Sequence, residues 1–163
     1  MTGLPGHNAP LQRHQKQGWN TVKVLASAAV YFAVVFAAAF ALGALRVTVV
    51  VPRLGTLMAV LIEVPIVLGV SWLVCRQVVH WFGIPNEWLP RLRMGALAFL
   101  FLMIAEPAIA ILGFGRSLTQ YAAEFSSTAG LIGLLGQIAF ALIPLLQSAA
   151  SRAATPGSGM RAP

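Results

Sequence analysis

The sequence predicts an all-α membrane protein: four transmembrane helices in an antiparallel bundle, flanked by disordered polar ends. Three observations carry that prediction. Hydrophobic residues make up 58% of the 163 and charged residues only 9%, too few to coat a soluble domain of this size. Four apolar runs reach about 19 residues, the length that crosses roughly 30 Å of hydrocarbon at about 1.5 Å per residue. Short connections holding proline, glycine and arginine separate them, which favours antiparallel neighbours.

In chain order, residues 1–21 read as a disordered cytoplasmic tail, rich in Gly, Pro, His and Gln. The first span covers residues 24–45 and is too long for the apolar core of a signal peptide, so it is expected to stay uncleaved. Ala26, Ala29, Ala33, Ala37, Ala41 and Ala44 fall on one narrow face of it, an expected close-packing surface. Arg46, a short β-branched run, Pro52, Arg53 and Gly55 then mark the turn into span 2, residues 57–75. Cys75, the single cysteine, excludes an internal disulfide and reads as a packing residue.

The connection from Arg76 to Arg93 holds prolines at both ends of Ile84-Pro-Asn-Glu-Trp-Leu-Pro90. Trp81 and Trp88, with Trp19, are placed at one membrane interface, where an indole is half buried and its N–H stays wet. Span 3 covers residues 94–113. After it, Ser117 and Gln120 have the spacing of a capping box, and Leu118, Tyr121 and Phe125 recur on one side, predicting a short interfacial helix over 117–125. Span 4, residues 129–147, carries Gly130, Gly133, Gln137 and Ala141 on a candidate helix-packing face together with Pro144. The transmembrane domain thus occupies residues 22–147, and residues 148–163 form a second disordered cytoplasmic tail.

Charge sets the expected orientation. The formal net charge is +7, from 11 basic and 4 acidic residues. Arg13, Lys16, Lys23, Arg76, Arg91, Arg93, Arg152 and Arg161 fall on one side of a four-span layout, against Arg46, Arg53 and Arg116 on the other. The positive-inside rule puts both termini in the cytoplasm of a bacterial inner membrane. Because the arginines stand singly at the ends of apolar runs rather than in a patch, no nucleic-acid partner is expected.

Glu63 and Glu106 are half of all the acidic residues, each within two residues of a proline inside an apolar run. Counted from the span ends, both lie roughly 12 Å below the outer boundary, so they are expected to form a pair at one level of the bilayer. A central charge costs about 2.5–3.5 kcal/mol and each large aliphatic residue returns about 0.3–0.6, so either span inserts despite its acid. Three arrangements remain open: an ionic lock with Arg46, Arg53 or Arg116; a protonated pair near the carbonyls of Leu61 and Met103, which lack a donor because Pro65 and Pro107 have no N–H; or a polar pathway that cycles protons.

No nucleophile with a base, no phosphate loop and no metal-ligand or cofactor pattern accompanies these acids; His7, His14 and His80 stand apart. The expectation is a non-enzymatic structural or accessory membrane component, without cofactor. Its partners would be the lipid bilayer and either a second copy or another membrane protein. The alternative is a small oligomeric proton-coupled transporter using Glu63 and Glu106.

Gly43-Ala-Leu-Arg46, Pro52-Arg-Leu-Gly55, Glu63-Val-Pro65, Ser71-Trp72 with Arg76, Arg93-Met-Gly95 with Ala98-Phe99, Glu106 and Phe114-Gly-Arg116-Ser117 form a recurring layout over residues 43–117. In this the chain resembles a group of small uncharacterised four-span bacterial membrane proteins. The resemblance implies the layout and no activity.

Overall fold

The computed structural model describes the backbone of residues 9–153 and the side chains of residues 21–153. Residues 1–8 and 154–163 of the expected tails lie outside the described residues, as do the side chains of Arg13, Lys16 and Trp19. The chain forms α1 (Ala9–Leu45), a π-helical turn (Arg46–Val50), α2 (Val51–Phe82), α3 (Trp88–Ala108), a second π-helical turn (Ile109–Gly113), α4 (Leu118–Glu124) and α5 (Thr128–Ala153). Helix thus extends into both segments expected to be polar tails, through residues 9–21 and 148–153. The added turns are made largely of Ala, Gln, Lys, Arg and Ser, several of them good helix formers that prolong an existing helix without a new nucleation step.

Three helical runs are long and apolar enough to cross a membrane: Thr21–Phe82, Trp88–Gly113 and Thr128–Ala153. The first contains both of the first two expected spans, because the segment between them is itself helical on either side of one residue. That residue is Gly55, at φ 78 and ψ 166. Only glycine occupies this region without strain. A Cβ at Gly55 would meet nothing within 4 Å, so substitution there perturbs the backbone alone. Gly55→Val is expected to lower stability in detergent by about 1–3 kcal/mol. An unchanged thermal midpoint would contradict it.

Around the core, α1 packs on α2 and α3, and α5 packs on the same two helices. α2 and α3 therefore face each other across a diagonal, although only residues 83–87 join them. The expectation that short connections make neighbours fails here, and the connection itself supplies the reason. Gly83, at φ 60, ends α2; Ile84 then turns into the core, and the buried Arg91 donates from Nε to the Pro85 carbonyl at 3.1 Å. The chain is thereby drawn beneath the end of the bundle instead of along its edge.

The core lies towards that same end. Val24, Ala28, Tyr31 and Val35 of α1 meet Cys75 and Val78 of α2, Met94 and Ala98 of α3, and Phe140 and Ile143 of α5. The alanine face expected to pack inward does not do so: Ala33, Ala37, Ala41 and Ala44 are exposed, and Ala26 and Ala29 are half-buried. Helix rotation follows the residue with most to bury and bond. Tyr31 is fully buried, stacks on Phe140 with ring centroids 4.6 Å apart, and donates its hydroxyl to the Phe140 carbonyl at 3.0 Å. That carbonyl lacks its helical donor because the residue four positions on is Pro144.

The expected packing face of α5 divides. The Ala141 carbonyl presses on Gly95 of α3, where a Cβ would overlap it, and Gln137 reaches α3 with its side chain. Gly130 instead backs onto the Glu124 carbonyl at the start of its own helix, and Gly133 has nothing within 4 Å of a would-be Cβ. Gly136, outside the expected set, packs on Val64 of α2. Spacing located the helix but not its rotation between two neighbours.

Candidate functional site

Glu63 sits in the middle of α2, opposite the junction of α1 and the first π-helical turn. Arg46 opens that turn and brings Nε to 2.9 Å from Glu63 Oε2, with the side chains 32% and 17% exposed respectively. The Nε–H is not aligned on the oxygen, so the contact is an ion pair without a hydrogen bond. Gly43, one turn earlier, lies beside the carboxylate: a Cβ there would stand 3.7 Å from Glu63 Oε1, an ordinary contact. Local chemistry keeps the turn in place, since Thr48 donates to the Ala44 carbonyl at 2.8 Å and Arg53 donates to the Val49 carbonyl at 3.2 Å.

Glu106 has different company. It lies one residue before Pro107 in α3, and its Oε2 accepts from Gln137 Nε2 of α5 at 2.6 Å and from the Tyr121 hydroxyl of α4 at 3.4 Å. α4 is held for this by the capping box: the Ser117 hydroxyl accepts from the Gln120 N–H at 3.2 Å, and the Gln120 side chain accepts from the Ser117 N–H at 2.9 Å. Tyr121 also meets Phe125 edge to face, with centroids 5.3 Å apart. Burial, then the Glu106 and Glu124 carboxylates, push the Tyr121 phenol up to about 12, so it remains a neutral donor at physiological pH.

The two acids therefore have separate partners and do not pair with each other. The depth expected from residue counts would put them at one level, but α2 and α3 stand on a diagonal. Of the three candidate arginines, Arg46 pairs with Glu63 and Arg116 pairs with Glu124, while Arg53 caps backbone. Glu124 is one turn beyond Gln120 on α4, within easy reach of Arg116, and is exposed, whereas Glu106 is half-buried.

Several polar residues of the interior were not singled out by sequence. Tyr31 and Gln147 each bond a main-chain carbonyl on another helix, Gln147 Nε2 reaching Trp72 O at 2.7 Å, and Arg91 is only 6% exposed. For Tyr31 the missed signal was Pro144, which frees the Phe140 carbonyl just as Pro65 and Pro107 free theirs. Among the described residues, no three His, Cys, Asp or Glu side chains converge as a metal set.

No protein family, curated protein or solved structure matches the chain. The functional reading therefore rests on the geometry: one acid paired with arginine, and one that among the described residues is held by neutral donors.

Proposed function

We propose that this chain is a four-span protein of the bacterial inner membrane, a non-enzymatic structural or accessory component whose first hairpin is locked by the Glu63–Arg46 ion pair. The observation that carries the reading is the 2.9 Å approach of Arg46 to Glu63. Away from water, an acid and a base matched across two helices hold those helices in one register, because a slip of either strands a charge.

Several contacts support a fold-back at Gly55 and antiparallel packing of α1 on α2. Glu63 meets Arg46 close to Gly55, while Tyr31, further back along α1, lies beside Ser71 and Cys75, further on along α2. Exposed Trp81 and Trp88 flank the α2–α3 connection, as residues at a headgroup boundary would. Lys23, Arg76, Arg93 and Arg152 belong to that end of the chain layout, which we assign to the cytoplasm with both termini. Membership of the group of small four-span bacterial proteins is part of the same proposal. So are its partners, the lipid bilayer and either a second copy or another membrane protein.

Glu63→Gln and Arg46→Gln are each expected to lower detergent stability by an amount between the ~0.2–1 kcal/mol of an exposed pair and the ~3–5 kcal/mol of a buried one. The double variant should lose less than the two single losses added together, because it leaves no stranded charge. Additive losses would remove the lock. The rival reading, a small oligomeric proton-coupled transporter using Glu63 and Glu106, keeps one supporting observation: among the described residues, Glu106 pairs with no arginine. If the Glu63→Gln chain accumulated normally while a proton-linked flux disappeared, the transporter would replace the lock.

A further inference from the structure

We propose that Glu106, Gln137 and Tyr121 form an exchangeable site for one monovalent cation, a proton or a sodium ion, where α3, α4 and α5 meet. The inference rests on the reading of α3 as a membrane span, and it does not depend on the lock.

The first argument is charge. Glu63 has Arg46, but the polar neighbours of Glu106 are a neutral amide and a neutral phenol. Among the described residues, the other charge bearing on it is Glu124 of α4, which has the same sign and is itself taken up by Arg116. A carboxylate within an apolar span and without a counter-charge is costly. One positive charge delivered to its oxygens removes that cost.

The second argument is an acceptor without a donor. Gln137 Oε1 is fully buried and accepts no hydrogen bond, although the same amide's Nε2 lies 2.6 Å from Glu106 Oε2. The oxygen and nitrogen of an amide exchange places by a half-turn of its terminal torsion. Turned over, Gln137 Oε1 faces the Glu106 carboxyl at a separation typical of O–H···O rather than N–H···O bonds. A proton on Glu106, or a sodium ion against both groups, then supplies what the carboxylate and the amide oxygen each lack. The Tyr121 hydroxyl contributes a third oxygen.

The backbone beside the acid is the third argument. Pro107 has no N–H for the carbonyl of Met103, three positions before Glu106 on α3, and the π-helical turn Ile109–Gly113 follows directly. Hard monovalent ions in membranes are met by oxygen ligands of this kind, carboxylate together with carbonyls from irregular helix.

The test uses the intact wild-type chain in lipid vesicles, with an apolar carbodiimide as the probe. This reagent adds to a protonated carboxyl in apolar surroundings and rearranges to a stable N-acylurea, which peptide mass spectrometry locates. Glu106 is expected to be modified at acid pH, and the Glu106→Gln chain is expected to lose that modification. If the ion is a proton, the rate falls about tenfold per pH unit once the carboxyl has titrated, whatever the salt. If it is sodium, adding sodium at fixed pH slows the reaction, and choline at equal ionic strength does not. A Glu106 that stays unmodified at every pH without sodium, or reacts at a rate indifferent to both pH and sodium, overturns the proposal. Equally fast modification by a water-soluble carbodiimide would overturn it by removing the membrane reading beneath it. Modification of Glu63 in the wild-type chain would instead count against the Arg46 ion pair and leave the Glu106 result standing.

Discussion

Tyr31→Ala is expected to be among the most damaging single substitutions in this chain, lowering stability in detergent by about 3–5 kcal/mol, the range for removing a buried aromatic ring. Tyr31 reaches across the diagonal between α1 and α5, stacking on Phe140, with Ser71 and Cys75 of α2 beside it. Its loss would leave a cavity at the centre of the core and remove the donor to the Phe140 carbonyl. Tyr31→Phe separates the two effects. It keeps the ring and strands the carbonyl, at an expected cost of about 1–3 kcal/mol. Pro144→Ala restores a helical N–H for that carbonyl, so Tyr31→Phe should cost measurably less in the Pro144→Ala background. Thermal midpoints of the four chains, followed by loss of the monodisperse species in detergent, check the prediction. Equal costs in both backgrounds would mean that the hydroxyl does not serve the proline-freed carbonyl.

Gly95→Leu is the second substitution with a large expected effect. A Cβ at Gly95 would overlap the carbonyl oxygen of Ala141, and the Pro144 side chain lies 3.6 Å from the same point. The obstacle is main chain, which cannot rotate aside, so α3 and α5 must separate. Overpacking typically costs about 1–3 kcal/mol, and the upper end applies where backbone has to move. Gly133→Leu on α5 is the control, because no atom lies within 4 Å of its would-be Cβ. There the gain in helix propensity, about 1 kcal/mol on leaving glycine, is expected to dominate. If the two leucine variants had the same stability, the α3–α5 contact would not be the tight one described above.

Gly95 and Gly133 also illustrate how far the sequence could be read. Both are glycines in apolar helices, and the small-residue spacing on α5 pointed to Gly133 as a packing position. Only the rotation of α5 between α2 and α3 decides that Gly136 and the Ala141 backbone make the close contacts while Gly133 does not. The alanine face of α1 went the same way: periodicity is a property of one helix, and which face turns inward depends on what the others present. The capping box at Ser117 was legible because all its bonds fall within four residues, and it formed as read.

For the acids, sequence supplied identity, an expected depth and the candidate arginines. It could not supply partners, because those depend on which helices are neighbours. Connection length suggested that α2 and α3 would pack side by side and bring Glu63 to Glu106. The buried Ile84 and the Arg91–Pro85 bond instead carry the chain beneath the bundle, and α2 and α3 take opposite corners.

By itself, then, the sequence determined the all-helical class, the long apolar helices and the positions of the breaks at proline and glycine, since each follows from hydrophobic length and backbone chemistry within a few neighbouring residues. The tertiary structure alone decided helix rotation, the diagonal placement of α2 and α3, and the unequal treatment of two similar glutamates. Those outcomes depend on contacts between residues tens of positions apart, and a helical repeat is equally compatible with every rotation until a residue such as Tyr31 finds its carbonyl.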